Sequence, residues 1–314
     1  MTQASRPPVL AADETGIARA AALLREGGLV AVPTETVYGL AARADRDASV
    51  AAIYRAKGRP SFNPLIVHVT GVEQARRYAT FEARAERLAA AFWPGPLTLV
   101  LPLAPDHGLA AAVTAGLSTV ALRCPAHPVM RRVLDEAGVP LAAPSANRSG
   151  GVSPTCAEHV VASLGASVDL VLDAGTCEAG VESTIVALRA DGGWQVLRPG
   201  PITANQLEVL LGPETVAAAQ TIEAPGQLES HYAPGKPVRL NAGTAEPDEF
   251  FIGFGAISGH VQLSSQGDLA EAASHLYAAL HEGAAAAQPR IAVAPIPGDD
   301  IGAAINDRLR RAAA

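Results

Sequence analysis

Three observations predict an α/β fold in two parts for this chain of 314 residues. Short apolar runs of strand character alternate with helical stretches from residue 15 to residue 211. Several of those strands end in a cation, a hydroxyl or a carboxylate beside proline or glycine. A smaller alternation of the same kind resumes after residue 237. Such alternation builds a sheet with helices on its faces, and polar strand ends gathered on one side make a cleft. The length fits two domains of roughly 150 residues each.

The first helix is expected over 15–26, where Ile17, Ala21 and Leu24 fall at helical spacing and Gly27-Gly28 supplies the stop. The strand over 28–32 runs into Pro33, which has no N–H to give a ladder, and then presents Thr34, Glu35 and Thr36. On an extended backbone the two threonine hydroxyls share one side and Glu35 points to the other. Gly39 provides for a close backbone approach or a positive φ. One such strand end reads as an ordinary turn, and the repetition of the pattern downstream is what makes it read as a site.

A second helix is expected to start at Asp47, read as its N-cap, with Val50, Ile53 and Tyr54 on the inner face. Gly58 and Pro60 place the next residues outside the helix, so Lys57 and Arg59 are expected to project together from extended chain. Paired cations suit a polyphosphate, arginine as a planar fork and lysine as a point charge, and a solvated basic turn is the alternative these residues leave open. The strand over 64–69 carries His68, which by itself reads as a core histidine sooner than as a catalytic one. A helix over 83–92, the rigid turn Trp93-Pro94-Gly95-Pro96 with no chemistry assigned to it, and a strand over 97–103 follow. In the strand over 118–125, Thr119, Ala121 and Arg123 share a face, which delivers a guanidinium to the sheet edge.

After a helix over 128–137, the strand over 139–143 opens into the loop 144–154, whose small hydroxyl and amide side chains and glycines suit phosphate oxygens. No GxxxxGK[ST] loop occurs in the chain. A helix over 155–164 and a strand over 168–172 lead to Gly180-Val181-Glu182-Ser183-Thr184, where a polar pair begins a strand. The strand over 194–197 ends in Arg198-Pro199, and a helix over 204–211 closes the unit. From 212 to 236 the pattern lapses into Ala, Pro, Gly and Gln and reads as a linker, within which His231-Tyr232-Ala233-Pro234 is rich in functional side chains. Strands near 238, 250–254 and 290–294 with helices over 268–281 and 302–311 then predict a smaller Rossmann-like α/β domain. Its Gly253-Phe254-Gly255 is too weak to mark a dinucleotide site.

Composition narrows the function. With 18% charged and 49% hydrophobic residues the chain is globular. A net charge of -7 argues against a sequence-independent grip on nucleic acid, and 4% aromatic residues leave few platforms for base stacking. Cys124, Cys156 and Cys177 are odd in number and widely spaced, which excludes a disulfide framework or a CxxC pair. The first residues lack the apolar core of a signal peptide, and no run of about 18 apolar residues occurs, so a cytoplasmic protein without a membrane partner is expected.

Taken together, these segments resemble the two-domain threonylcarbamoyl-AMP synthases: PTETVYGL from Pro33, KGRPSFNPLIVH from Lys57, WPGPLT from Trp93, TVALRCPAHP from Thr119, APSAN from Ala143, GVEST from Gly180, LRPGP from Leu197 and HYAP from His231. The resemblance implies a twisted open mixed sheet with helices around a large cleft, YrdC-like, over 1–212. A linker or lid over 213–237 and an accessory α/β domain over 238–314 complete it. The implied reaction joins L-threonine, bicarbonate and ATP, with Mg²⁺ accompanying the nucleotide, into L-threonylcarbamoyladenylate and pyrophosphate. The product would pass to the machinery that transfers threonylcarbamoyl to tRNA, without stable tRNA binding by this chain.

Carried over by position, Thr36, His68, Arg123, Ala143 and Ser183 would hold L-threonine. Arg59, Asn63, Thr119, Ser145, Asn147, Ser153, Arg198 and Tyr232 would hold ATP. Lys57 and Arg59 would act on the reacting phosphates, and no protein metal site is implied. One departure stands in the linker, where relatives carry basic and aromatic residues and this chain reads Gln227-Leu228-Glu229-Ser230 before His231. The rival readings are an RNA-binding module, against which the charge counts, and a carbamoyl-transfer enzyme of the hydrogenase-maturation type, whose CxxC pairs are missing here.

Overall fold

The computed structural model describes residues 6–60, 62–189, 191–215, 223–227 and 231–314. Of the expected linker, residues 216–222 and 228–230 lie outside the described residues, and so does Ser61 of the basic segment.

A short strand, β1 (Val9–Ala11), precedes α1 (Glu14–Glu26), which Asp13 caps by accepting the Gly16 N–H at 2.9 Å. Strands β2 (Val30–Val32) and β3 (Gly39–Arg43) pair antiparallel around the turn 33–38. The sequence gives β3 little signal, since Gly-Leu-Ala-Ala-Arg holds no β-branched or aromatic residue. Gly39 serves a close approach and not a positive φ: a Cβ there would stand 3.2 Å from that of Ala143. Helix α2 (Asp47–Lys57) corrects two expectations. Its N-cap is Arg46, with Asp47 in the first turn facing the positive end of the dipole, and the helix persists through Lys57 before Gly58 stops it in the left-handed region. Lys57 therefore projects from a final helical turn, not from extended chain.

The next elements are β4 (Ile66–His68), α3 (Val72–Ala75), α4 (Ala83–Phe92), β5 (Leu97–Pro102), α5 (Ala111–Thr114) and β6 (Thr119–Arg123). They are followed by α6 (Pro128–Ala137), β7 (Leu141–Ala142), α7 (Ala157–Leu164) and β8 (Leu170–Asp173). Strands β9 (Thr184–Leu188) and β10 (Trp194–Arg198) and helix α8 (Ala204–Leu211) finish the unit. The ten strands form one mixed sheet in the order β1-β8-β2-β3-β7-β4-β6-β5-β9-β10.

Alternate residues send side chains to opposite faces. Ala31, Leu40, Val67, Leu99 and Leu122 join Val50 and Ile53 of α2 in the main core. Val30, Val32 and Ala41 pack on the other face under Ile17 and Leu24 of α1 and Met130 and Leu134 of α6. Farther along that second face Ile66, Val100, Ala121, Ile185 and Leu197 pack with Ala224 of the linker. This is the stretch of sheet over which the cleft lies.

The smaller unit is a parallel sheet in the order β11-β14-β12-β13, built from β11 (Val238–Arg239), β12 (Glu249–Gly253), β13 (Val261–Gln262) and β14 (Arg290–Val293). Helices α9 (Leu269–Ala285) and α10 (Gly302–Ala313) cover it. Its core is not self-contained: Val37, Val152 and Val181 of the first unit belong to the same apolar cluster as Leu276, Tyr277 and Ile305. At Gly180 a Cβ would lie 2.4 Å from Ser274 Cα, so α9 approaches where only glycine leaves room. No helix among the described residues is long and apolar enough to cross a membrane.

Candidate active site

The register of three strands sets out one half of the site. Parallel pairing places His68 of β4 beside Arg123 of β6, and antiparallel pairing places Thr98 of β5 across from Arg123. The buried guanidinium gives Nε to the Gly95 carbonyl at 3.3 Å, Nη1 to Thr36 Oγ1 at 2.9 Å and Nη2 to Glu35 Oε1 at 2.7 Å. Glu35 thus faces Arg123 and does not point away as extended chain requires. The cause is Thr34, whose hydroxyl accepts the Thr36 and Val37 N–H groups and donates to the Val37 carbonyl at 2.6 Å, turning the backbone. With that proton committed, the 2.8 Å contact between the two threonine hydroxyls has Thr36 as donor. The Trp-Pro-Gly-Pro turn also gains a role, since its Gly95 carbonyl helps hold Arg123.

The other half is cationic. Lys57 Nζ donates to the Ser145 and Asn147 carbonyls, each at 2.6 Å. Arg59 donates to the Asn63 and Pro64 carbonyls. Arg198 gives Nε to the Ser183 carbonyl at 3.0 Å and Nη2 to Ser183 Oγ at 3.1 Å, and Ser183 Oγ meets Thr98 Oγ1 at 2.7 Å. All three cations are buried. Burial, aided by the charge of Arg59 and opposed by Glu182, pushes the Lys57 ammonium well below the usual lysine range. Burial lowers Arg59 to about 10, still charged at neutral pH, and lowers Arg198 as well.

Two carboxylates balance this charge. Burial pushes the Glu35 carboxyl up, but the charge and hydrogen bond of Arg123 outweigh it and leave it at about 2. Glu182 is also held at about 2, where burial is overcome by Arg308, Arg198 and the Ser153 hydroxyl. Both folded values lie below the ordinary 4.5, so the stability they contribute is complete above about pH 4.5 and is lost as pH falls toward 2. Each is worth on the order of 3 kcal/mol. In urea unfolding, stability should drop across that window and the drop should be smaller in Glu35→Gln. Identical pH dependence in parent and variant would refute the assignment.

Thr36, Arg59, His68, Arg123, Ala143, Ser145, Ser183, Arg198 and Tyr232 line one cavity, together with Glu182 and His231. The other expected residues stand behind this wall or away from it. Lys57 supports the backbone of Ser145 and Asn147, and Asn147 Nδ2 ties back the Arg148 and Gly151 carbonyls. Asn63 lends its carbonyl to Arg59, and Ser153 bonds Glu182. Thr119 sits at the far end of β6 from Arg123, across from Pro102.

The cavity holds about 40 Å³, far below the roughly 300–1,000 Å³ of sites that enclose small molecules. A larger hollow of about 680 Å³ on the second domain, lined by residues such as Gly243 and His260, contains none of these groups. Among the described residues, the buried side-chain polar atoms without a partner are Asn63 Oδ1, His68 Nδ1, Asn147 Oδ1, His231 Nδ1 and Tyr232 OH. Buried polar groups are normally satisfied, and the three of these that belong to cavity-lining residues, on His68, His231 and Tyr232, offer a ligand bonding positions there. His68 is therefore not the satisfied core histidine that its strand suggests. Burial takes both His68 and His231 down to about 3, and they are neutral at physiological pH.

Sequence reasoning missed Glu182, Tyr277 and Arg308. Glu182 had a signal, its place just before the Ser183-Thr184 strand start. Tyr277 and Arg308 lie 95 and 126 residues from their partner Glu182 and had none.

Buried cations at the strand ends of a mixed sheet, with Pro225, Gly226, His231 and Tyr232 of the linker at the same cavity, define a closed cleft of the kind that holds an anionic ligand. Residues 22–200 match the family model described as "Telomere recombination", and residues 202–314 match that described as "Threonylcarbamoyl-AMP synthase, C-terminal domain". The chain belongs to the threonylcarbamoyl-AMP synthase family. It is 45% identical over 249 residues to the threonylcarbamoyl-AMP synthase of Bacillus subtilis, covering 77% of this chain and 71% of that one. The crystal structure of P. abyssi Sua5 complexed with L-threonine superposes with a TM-score of 0.89 at 34% identity, over 99% of this chain and 98% of that one. A structure of the same protein with a histidine and a tyrosine changed to alanine superposes with a TM-score of 0.88 at 33% identity, over 98% and 96% of the two chains.

Proposed function

We infer that the protein is a threonylcarbamoyl-AMP synthase that condenses L-threonine, bicarbonate and ATP into L-threonylcarbamoyladenylate and pyrophosphate, for the threonylcarbamoyl modification of tRNA. One observation carries this reading. Arg59 and Arg198 line a single cavity, with Lys57 buried behind its wall, and among the described residues its one lining carboxylate, Glu182, is already paired with Arg308. Buried positive charge in excess calls for an anion, and a triphosphate has the charge and length to supply it.

Threonine is assigned to the Arg123 end. There Arg123 has guanidinium protons beyond those given to Gly95, Thr36 and Glu35, and His68 Nδ1 is without a partner. The threonine amine takes up bicarbonate to form a carbamate with loss of water. A carbamate oxygen then attacks the α-phosphorus, and the bond to pyrophosphate breaks. Charge builds on the phosphate oxygens, so Arg59, Arg198 and Lys57 act through electrostatics and positioning. Tyr232 and His231 close the cavity over an adenylate that water would otherwise hydrolyse.

The Mg²⁺ of the resemblance is assigned to the ATP phosphates. Among the described residues no three His, Cys, Asp or Glu side chains gather as a metal cage, and the carboxylates Glu35 and Glu182 are both engaged by arginines. A cytoplasmic site of action and delivery of the product to a separate tRNA-modifying enzyme belong to the same reading.

The test is pyrophosphate release from ATP with no RNA present. Release that requires both threonine and bicarbonate supports the synthase, and release indifferent to threonine overturns it. Within this scheme Arg123→Lys should raise the threonine KM about tenfold while ATP affinity changes little, because a point charge does not reproduce the fork. Equal threonine KM in parent and variant would remove Arg123 from the threonine pocket.

A further inference from the structure

Helix α10 places a fully buried arginine behind the cavity. Arg308 gives Nε to Glu182 Oε2 at 2.8 Å, Nη1 to Asp307 Oδ2 at 2.7 Å and Nη2 to the Pro199 carbonyl at 3.0 Å. Its guanidinium also lies over the Tyr232 ring, 5.3 Å from the centroid. Tyr277 of α9 donates to the same Glu182 oxygen at 2.8 Å and stacks on Tyr232 from 5.6 Å. Ser153 takes the other oxygen at 2.5 Å. The second domain thus reaches the residue before Ser183, the residue after Arg198 and the ring of Tyr232.

Stability alone is a poor account of this arginine. Desolvation offsets most of the attraction in a buried ion pair, and a hydrocarbon of similar volume often serves as well. What the guanidinium supplies is charge and direction. Glu182 faces Arg198 and Lys57 from the first domain, His231 and Tyr232 from the linker, and Tyr277 and Arg308 from the second domain, with Asp307 behind Arg308. If Arg308 did not engage it, the carboxylate would be free to neutralise Arg198 and Lys57, the cations that the triphosphate needs.

We propose that Arg308 is a positioning residue supplied by the C-terminal domain, which occupies Glu182 so that Arg198 and Lys57 stay available to the polyphosphate and Tyr232 stays seated at the cavity wall. The proposal rests on the reading of this cavity as the nucleotide site, and it deepens that reading by making the second domain part of the site's charge balance.

The experiment uses the full chain with Arg308→Met, Arg308→Lys and the double change Arg308→Met with Glu182→Gln. ATP and threonine affinities are measured by calorimetry, and folding is followed by thermal unfolding. Arg308→Met should weaken ATP binding about tenfold while threonine affinity moves less than about twofold. Glu182→Gln on that background should recover most of the loss, since the competing charge is gone, and Arg308→Lys should fall between. Without its arginine, burial drives the Glu182 carboxyl upward. Relative to the parent, ATP binding by Arg308→Met should therefore improve as pH is lowered from 8 to 5. A folded Arg308→Met with parental ATP affinity overturns the proposal. So does a loss shared equally by ATP and threonine that Glu182→Gln fails to relieve, which is the mark of a merely structural residue. A parent that binds no ATP would instead overturn the nucleotide-site reading beneath it.

Discussion

Replacing Lys57 by Met is expected to slow threonylcarbamoyl-AMP formation about a hundredfold to a thousandfold, the usual consequence of losing one preorganised electrostatic group. Lys57 ends α2, where the helix dipole favours a cation, and its ammonium spans the carbonyls of Ser145 and Asn147. Its donors are thus committed to the loop that walls the cavity, and its charge acts on the site from behind that wall. Met keeps the length but loses the charge and leaves the Asn147 carbonyl short of a donor, at about 1 to 3 kcal/mol if it stays buried, while the Ser145 carbonyl keeps the Asn147 N–H at 3.0 Å. Loss of rate should therefore come with a lowered Tm.

A second readout separates charge from scaffolding. Burial and Arg59 hold the Lys57 pKa well below the usual range, and an incoming polyphosphate favours the charged form and raises it again. ATP affinity measured by calorimetry should accordingly fall in Lys57→Met along with the rate. A folded variant within about threefold of the parental rate, or with parental ATP affinity, would show that Lys57 only braces the loop.

What the sequence disclosed follows from the range over which its signals act. Polar residues at apolar strand ends are local, and Arg123 and Arg198 could be read there from the residues themselves, as could α1 and α6, whereas His68 reads from its strand as a core histidine and it and Ser183 enter the site only through the resemblance. The direction of Glu35 could not, because it depends on a turn that the Thr34 hydroxyl makes with the backbone two and three residues on. Lys57 was visible as a cation and misplaced by a single residue of helix, since Gly58 marks a stop without saying whether the residue before it is still helical. Tyr277 and Arg308 carried no local mark, as a helical tyrosine and a helical arginine have many ordinary uses. Only the packing of α9 and α10 on Val37, Val152 and Val181 brings them to Glu182. The second domain is where pattern reading was least informative, and also where the site acquires part of its charge balance.

Cutting the chain after Leu211, or after Lys236, is expected to abolish coupled product formation in both cases. The sequence alone favours a graded outcome, with a first domain that folds unaided and a linker that retains partial function. The packing argues otherwise. Removing residues 238–314 strips the partners of Val37, Val152 and Val181 and leaves the Glu182 carboxylate to Arg198 and Lys57. The linker fares no better when kept. The His231 N–H bonds the Arg311 carbonyl, Lys236 Nζ bonds the Gly283 and Ala286 carbonyls, and Tyr232 sits at φ 64° between Arg308 and Tyr277. A tyrosine in that backbone region costs about 1 to 3 kcal/mol and persists only when its surroundings enforce it. Ordering the neighbouring residues costs about 1 to 2 kcal/mol each. A linker without α9 and α10 has lost the contacts that offset these costs, so the chain ending at Lys236 should behave like the chain ending at Leu211. The measurement is threonylcarbamoyl-AMP formed per ATP consumed by each truncated chain and the full one, with Tm and threonine affinity beside it. If the chain ending at Lys236 keeps the parental rate and coupling, the second domain is dispensable to the chemistry and Glu182 needs no partner from it. If both truncated chains fold and bind threonine yet consume ATP without product, the domain's contribution lies in closing and balancing the site, and full-length Arg308→Met should reproduce part of that defect.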